Sequence, residues 1–145
     1  MRDIKYMKVA LKQAQLALQE DEVPVGAIIV YQDKIIAQAH NMNQQLNSPL
    51  AHAEILVIKQ ASEYLKSKDL SQCQLYVTLE PCLMCTGAII NSRLEKVIFG
   101  AFDLDNGSII SNEKKECKKI LWVPNILQEE CSKILSNYFA RKRVE

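Results

Sequence analysis

Two short motifs near the middle of the chain supply one imidazole, two thiols and one carboxyl group. The first is His52-Ala53-Glu54 and the second is Pro81-Cys82-Leu83-Met84-Cys85. Zinc in proteins prefers sulfur and nitrogen donors, and a catalytic zinc site has three protein ligands and an open fourth position. We therefore expect His52, Cys82 and Cys85 to bind one Zn²⁺ per chain, and the fold to bring the two motifs together.

The carboxyl group of Glu54 is left over once the three ligands are assigned. A zinc-bound water has its pKa lowered toward ~7 and needs a group that accepts its proton, which is the role we predict for Glu54. Two residues apart on a regular helix, His52 and Glu54 would point in different directions. We therefore expect His52 to lie at the irregular start of a helix.

Each motif also has simpler interpretations. A Cys-x-x-Cys pair alone fits buried small side chains or a redox motif. A structural zinc site needs a fourth protein ligand, but Cys73 is separated from Cys82 by a predicted strand, roughly 20 Å at ~3.3 Å per residue. Cys117 and Cys131 reach the site only if the chain folds back. The second histidine, His40, is interpreted as structural.

Length and composition favour one cytoplasmic domain spanning residues 1–145. The chain has 145 residues, of which 48% are hydrophobic, and an odd number of cysteines, five. Charged residues occupy the first positions, where a secretory signal would become apolar. Both features favour a reducing compartment. No apolar stretch approaches the ~18 residues typical of a membrane span, so we expect no membrane partner.

Net charge is only +1, which excludes the overall basicity of a dedicated nucleic-acid coat protein. An RNA partner would therefore be bound by local basic clusters. The candidates are Lys5, Lys8 and Lys12; Lys114, Lys115, Lys118 and Lys119; and Arg141, Lys142 and Arg143. The simpler interpretation of each cluster is a solvated surface.

Apolar periodicity and turn residues predict helices and strands in alternation. We expect a helix over 3–19 with one apolar face (Ile4, Met7, Leu11, Ala14, Leu18), a hairpin of strands 23–31 and 34–39, a helix starting at Pro49 and ending near Leu65, a strand over 74–79, a helix starting at Pro81, a strand over 96–102, a loop over 103–107 and a last helix over 127–138. Residues 108–125 show no clear pattern. This order is typical of one α/β domain.

The same motifs resemble those of the zinc-dependent nucleoside and nucleobase deaminases, the cytidine/deoxycytidylate deaminase superfamily. Within that group the chain is most similar to bacterial tRNA-specific adenosine deaminases. The likeness runs from about residue 21 to residue 103 and returns in the last helix. The matching segments are Glu22-Val23-Pro24-Val25-Gly26-Ala27, Asn41, Ala51-His52-Ala53-Glu54, Thr78-Leu79-Glu80-Pro81-Cys82-Leu83-Met84-Cys85, Gly87-Ala88, Ser92-Arg93 and Tyr138-Phe139-Ala140-Arg141-Lys142-Arg143.

The resemblance implies a three-layer α/β/α fold around a central mixed, mostly five-stranded sheet. It implies hydrolytic deamination of adenosine to inosine at the wobble (first anticodon) position of tRNA, with Glu54 as the proton shuttle. The implied substrate residues are Asn41 as a base or ribose contact, Val23 and Leu79 as pocket walls, and Asp103 as a loop contact.

The resemblance also implies RNA-backbone contacts from Arg141, Lys142 and Arg143. Members of the family usually form homodimers, and residues 88–90 are a candidate interface. The chain departs from the family at Phe102, where a charged residue is common, and in a shortened loop after Asp103.

Two other functions remain open at this point. Guanine or cytosine deaminases that act on free bases share the metal motif. A noncatalytic RNA-binding subunit stabilised by zinc is the alternative from a different class, although such a protein has no need of Glu54 beside the metal.

Overall fold

The computed structural model describes residues 1–107 and 119–144. In chain order its elements are α1 (Arg2–Gln19), β1 (Gly26–Tyr31), β2 (Lys34–His40), α2 (Ala53–Leu65), β3 (Cys73–Leu79), α3 (Leu83–Ser92), β4 (Lys96–Ala101), β5 (Leu121–Val123) and α4 (Gln128–Arg143). The predicted alternation of helices and strands is confirmed.

The strands form one mixed five-stranded sheet in the order β2-β1-β3-β4-β5. β1 is antiparallel to both of its neighbours, whereas β3, β4 and β5 are parallel. Gln32 and Asp33 both have positive φ and close the β1–β2 hairpin, as two-residue hairpin turns require. β5 falls in the stretch for which the sequence showed no pattern.

Helices cover both faces of the sheet. Alternate strand residues point to opposite sides, so each face packs its own set of side chains. Ile28, Tyr76 and Ile98 pack with α1 residues such as Met7, and Cys131 of α4 lies in the same cluster. The strand residues between these point to the other face and pack with the buried side chains of α2 and α3. They are Ala27, Ile29, Leu75, Val77, Val97 and Phe99. The α/β/α arrangement is therefore confirmed.

The predicted apolar face of α1 is confirmed at Met7 and Ala14 but not at Ile4, Leu11 and Leu18. Its buried residues are Tyr6, Met7, Ala10, Ala14 and Ala17, whereas Ile4 is exposed. The helix packs through its small side chains because Gly26, at the start of β1, allows the two backbones to approach closely.

We expect Gly26→Ala to lower the free energy of unfolding by about 1–3 kcal/mol, the usual cost of overpacking a core. A Cβ at this position would overlap the carbonyl oxygen of Ala10 and lie 2.5 Å from the amide nitrogen of Ala14. Urea unfolding measures the change. The control is Gly87→Ala, where a Cβ meets nothing within 4 Å. Equal stability of Gly26→Ala and the wild type would contradict the close packing of α1 on the sheet.

Two predicted helix starts were wrong. α2 begins at Ala53 rather than at Pro49, and α3 begins at Leu83 rather than at Pro81. In both cases the proline lies in the connection before the helix. The residues that precede the first helical residues are His52 and Cys82, which have extended backbone conformations. The prediction that His52 lies at an irregular helix start is confirmed.

Several strand ends meet at one edge of the sheet. The parallel strands β3 and β4 end there, and because β1 and β2 are antiparallel to each other, the start of β1 and the end of β2 lie there too. The backbone N–H of Gly26 donates to the hydroxyl of Thr78 over 3.1 Å, joining β1 to the end of β3. This edge is where α/β proteins usually place their sites.

None of the helices in the described part of the chain combines the length and apolar character that a membrane span needs.

Candidate active site

Three donor groups of the two motifs lie together at this edge. His52 and Cys82 are the N-cap residues of α2 and α3, and Cys85 lies in the first turn of α3. The Nδ1 atom of His52 is 3.6 Å from Sγ of Cys82 and 3.3 Å from Sγ of Cys85. All three donor atoms lie within 4.8 Å of one another.

These separations fit a tetrahedral zinc ion. With Zn–S of about 2.3 Å and Zn–N of about 2.0–2.1 Å, tetrahedral angles place nitrogen and sulfur about 3.6 Å apart. One imidazole and two thiolates are also a donor set that zinc prefers. The group can therefore hold a metal ion.

The electrostatics of the two thiols favour metal binding. Hydrogen bonds from Cys85 and from His52 lower the pKa of Cys82 to about 3. The pKa of Cys85 is raised, chiefly by its hydrogen bond to Cys82 and by burial. The hydrogen bond between the two sulfur atoms thus favours the thiolate form of Cys82. A bound cation would deprotonate the second thiol as well, because metals bind cysteine as thiolate.

The imidazole of His52 also responds to this thiolate. Its hydrogen bond with Cys82 raises the pKa of the ring, against the effect of burial. Because Nδ1 faces both sulfur atoms, that nitrogen is the one available to a metal.

The carboxyl group of Glu54 lies beside this group and does not belong to it. Glu54 is in the first turn of α2 and only 4% exposed. Burial raises the pKa of Glu54 to about 7, although the charge of His52 and a hydrogen bond with Cys85 favour the ionised form. A carboxyl group with a strongly perturbed pKa next to a metal-binding group is typical of a catalytic acid or base.

Among residues 1–107 and 119–144, no other histidine, cysteine or acidic residue joins the three donors. Cys73 is buried at the start of β3, the end remote from the group, and Cys131 is buried against Gly100. Cys117 lies outside the described residues. His40 contacts Gln13 and Glu20 at 3.1 Å and 2.7 Å, which agrees with a structural role.

The donor group opens into a cavity of about 930 Å³. His52, Glu54 and Cys82 line its wall, and so do all four residues predicted to contact substrate: Val23, Asn41, Leu79 and Asp103. The structure thus brings the predicted catalytic and substrate residues to one cavity together with two of the predicted metal ligands, while Cys85 is buried behind them.

Asn41 has a structural contact in addition to its place in the cavity wall. It is 8% exposed, and its side-chain oxygen accepts the backbone N–H of Ala53 over 2.8 Å. That N–H is one of the unpaired donors at the start of α2. Asn41 therefore fixes the helix end that carries His52 and Glu54.

We expect Asn41→Ala to lower the free energy of unfolding by about 1–3 kcal/mol, because a buried N–H would be left without its acceptor. Asn41→Asp keeps an oxygen at that position and should recover most of the stability. Chemical denaturation of both variants measures the difference. If Asn41→Ala is as stable as the wild type, the hydrogen bond does not stabilise α2.

Asp103 closes a turn at the cavity mouth. One of its carboxylate oxygens accepts the backbone N–H groups of Asp105 and Asn106 at 3.1 and 3.0 Å. Phe102 packs edge-on against Phe99, with ring centroids 5.1 Å apart, and also lines the cavity.

Two buried carboxylates in the cavity wall had no predicted role. Glu22 is 2% exposed and accepts the backbone N–H groups of Gln44 and Gln45. Glu80 is also 2% exposed and accepts the N–H of Asp103. Both residues lie in segments that resemble the deaminases. Glu80 precedes a proline and Glu22 precedes an apolar strand, and the sequence held no other indication of their roles.

The basic residues near the end of α4 are partly engaged within the protein. Asp21 contacts Arg141 at 3.5 Å and Lys142 at 2.8 Å, and its hydrogen bond with Lys142 lowers the pKa of Asp21. Arg143 is exposed. In the second lysine cluster, Lys114, Lys115 and Lys118 lie outside the described residues.

Comparison with known proteins identifies the family. The model of the MafB19-like deaminases matches residues 1–143. The tRNA-specific adenosine deaminase of Aquifex aeolicus is 46% identical, over 95% of this chain and 94% of its own length. That of Bacillus subtilis is 43% identical, over 98% of this chain and 91% of its own. The chain belongs to the tRNA-specific adenosine deaminase family.

Solved structures agree with this membership, which confirms the family predicted from the motifs. One from a study of A-to-I editing by tRNA:A34 deaminases superimposes with a TM-score of 0.86 and 37% identity, over 90% of this chain and 99% of that one. A guanine deaminase from Nitrosomonas europaea reaches a TM-score of 0.81 at 22% identity, over 94% of this chain and 84% of that one. This second likeness shows the shared fold alone.

Proposed function

We propose that this protein hydrolyses adenosine to inosine at the wobble position of tRNA. The observation that carries the proposal is the buried carboxyl group of Glu54 beside three donor groups at the wall of an open cavity. The names of its relatives support adenosine in tRNA as the substrate.

His52, Cys82 and Cys85 would hold Zn²⁺, one ion per chain. When bound, zinc would supply a water of lowered pKa and stabilise charge that develops during hydrolysis. The carboxylate of Glu54 takes up one proton of the attacking water and delivers it to the ring nitrogen beside C6. It then transfers the second proton, from the hydroxyl group added at C6, to the amino group, which leaves as ammonia when the C6–N bond breaks. Glu54 is buried except where it faces the cavity, so its carboxyl group has little contact with other water.

The rim of the cavity favours an RNA substrate over a free base. Leu83, Leu104 and Phe139 all line the cavity and are exposed, Leu104 to 91% and Phe139 to 45%. A pocket for a free base has no use for apolar side chains outside it, whereas bases unstacked from an RNA loop pack on aromatic and apolar surfaces. Val23, Leu79 and Asn41 line the cavity and are our candidates for contacts with the flipped adenine, and Asp103 is our candidate for a contact from the loop.

The deciding experiment incubates the purified protein with a tRNA that carries adenine at the wobble position. Inosine is read as an A-to-G change in cDNA, and we expect it at that position alone. A tRNA with guanine there is the matched control. Release of ammonia from guanine or cytosine, with the tRNA unchanged, would establish a free-base deaminase instead. Zinc-dependent tRNA binding without either reaction would establish a noncatalytic subunit.

The basic end of α4 is our candidate for contacts with the RNA backbone. We expect the double variant Arg141→Ala/Arg143→Ala to weaken tRNA binding and to reduce the slope of log affinity against log salt by about one for each phosphate that the variant can no longer bind. Fluorescence anisotropy across a salt series measures the slope. Lys142 is kept in this variant so that one ion pair with Asp21 remains.

The control for this prediction removes the same charge elsewhere. Lys59→Ala/Lys68→Ala changes two exposed lysines, one within α2 and one just beyond its end, and should leave the salt slope unchanged. Equal slopes for both double variants would exclude the end of α4 from the RNA-binding surface.

We also propose that the protein acts as a homodimer in the cytoplasm and that residues 1–145 form one domain. The exposed Gly87 and its half-buried neighbour Ala88 leave the outer face of α3 open to a second copy of the chain. Of the candidate interface residues 88–90, Ile89 is fully buried in the core, so only its neighbours are available to a partner. Light scattering of the purified protein measures the mass, and a monomer at micromolar concentration would contradict the dimer.

A further inference from the structure

Residues 103–107 form a short turn in the cavity wall. This turn is hydrogen-bonded to a buried carboxylate that lies elsewhere in the chain. Glu80 lies between β3 and α3, and its Oε1 accepts the backbone N–H of Asp103 over 3.1 Å. The backbone N–H of Glu80 in turn donates to the carbonyl of Ala101 over 2.8 Å. Glu80 therefore contacts both residues that flank Phe102.

The other end of the turn, at Gly107, also lies against Glu80 and Cys82. Gly107 donates its N–H to the carbonyl of Asp103 over 2.9 Å and forms an isolated antiparallel bridge with Cys82. A Cβ on Gly107 would overlap the carboxyl group of Glu80 and lie 2.6 Å from the carbonyl oxygen of Asp103. Only a residue without a side chain allows Glu80 and the turn to approach this closely.

We propose that Glu80 is a positioning residue, which holds the 103–107 turn against Cys82 so that this wall of the cavity is formed before RNA binds. The proposal rests on the function proposed above. A loop ordered in advance does not lose its conformational freedom on binding. Glu80 should therefore act on the affinity for substrate, while Glu54 and the three donor groups, held by α2 and α3, perform the chemistry unaided.

The first test is the steady-state kinetics of Glu80→Ala with wobble-adenine tRNA. We expect KM to rise about ten- to a hundredfold, because the backbone N–H of Asp103 loses its carboxylate acceptor. We expect kcat to stay within about threefold of the wild type and bound zinc to stay at one per chain, because the donor groups are unchanged. Glu80→Gln retains an oxygen acceptor and should restore KM to near the wild-type value. The control is Glu95→Ala, an exposed carboxylate beside the other end of β4.

A second variant approaches the same hydrogen bond from its other side. Gly107→Ala should raise KM without loss of zinc, and it serves as the test if Glu80→Ala does not fold. In the double variant the two effects should combine to less than their product, because both disturb the same hydrogen bond.

Several results would overturn the proposal. These are an unchanged KM in Glu80→Ala, a fall in kcat and zinc content with KM unchanged, or failure of Glu80→Gln to rescue. If the wild type itself leaves tRNA unedited, the proposed function fails, and amide exchange then tests Glu80 independently. In Glu80→Ala the amides of Asp103 and Gly107 should exchange at least about tenfold faster than in the wild type, as expected when a hydrogen-bonded turn opens locally. Unchanged exchange would exclude the positioning role.

Discussion

Glu54→Gln should lower kcat for wobble-adenine tRNA by on the order of 10³-fold or more while the protein keeps one zinc per chain. General acid–base catalysis contributes about 10²–10⁴-fold, and Glu54 is the acid or base that the cavity offers beside the donor group. An amide fills the same buried space but neither accepts nor returns a proton. Single-turnover editing assays and metal analysis of the same preparation measure both quantities.

The control for Glu54 is Glu63→Gln, an exposed carboxylate on the same helix. It makes the same chemical change in α2 outside the cavity and should keep full activity. Substantial editing by Glu54→Gln would remove Glu54 from the proton-transfer role. Loss of zinc from that variant would instead make it a ligand, which its place outside the donor group argues against.

Cys82→Ser should abolish stable metal binding and lower the melting temperature sharply. Cys82 is one of three donors, and an ion bound there would join the starts of α2 and α3, so loss of the metal should also loosen the packing of these helices. Structural zinc in small peptides contributes about 10–16 kcal/mol, which is an upper bound for the effect here because this chain also has a large core. Thermal unfolding with and without a chelator, together with zinc analysis, measures the result.

Cys131→Ser is the matched control, since it changes a buried thiol that lies against Gly100, away from the donor group. It should lose some stability as a core variant but keep one zinc per chain, and the chelator should lower its melting temperature as much as that of the wild type. A Cys82→Ser variant that retains zinc would contradict the assignment of Cys82 as a ligand.

The meeting of His52, Cys82 and Cys85 could be predicted because it depends on donor chemistry alone. Three donors and one spare carboxyl group have few other uses in a chain with so few histidines. The β1–β2 hairpin and the strands over 74–79 and 96–102 were predictable for a similar reason, because apolar runs and turn residues act locally.

Features that depend on partners distant in sequence could not be predicted. The buried face of α1 was misassigned in part because its alanines pack on Gly26, and no helical periodicity reveals such a close approach. The roles of Glu22 and Glu80 depend on backbone N–H groups in other loops. The ion pairs of Arg141 and Lys142 depend on Asp21, which is nearly the whole chain away. β5 is only three residues long and shows no period.

The helix starts were misplaced for a physical reason. Proline is favoured at the first helical position, and this preference alone predicts helices that begin at Pro49 and Pro81. In the structure the N-cap positions are occupied by His52 and Cys82, two of the donors. Both prolines therefore lie before the N-cap residues, and the preference of proline for the first helical position does not determine where these helices begin.

The exposed rim of the cavity has a consequence for how this scaffold can change. Leu83, Leu104 and Phe139 contribute little to the core, whereas the groups that perform the chemistry are tied into it. If RNA binds at this rim as proposed, selectivity and folding stability depend on different residues. Libraries randomised at these three positions should yield many folded, zinc-loaded proteins that differ in the nucleotides they accept around the target base.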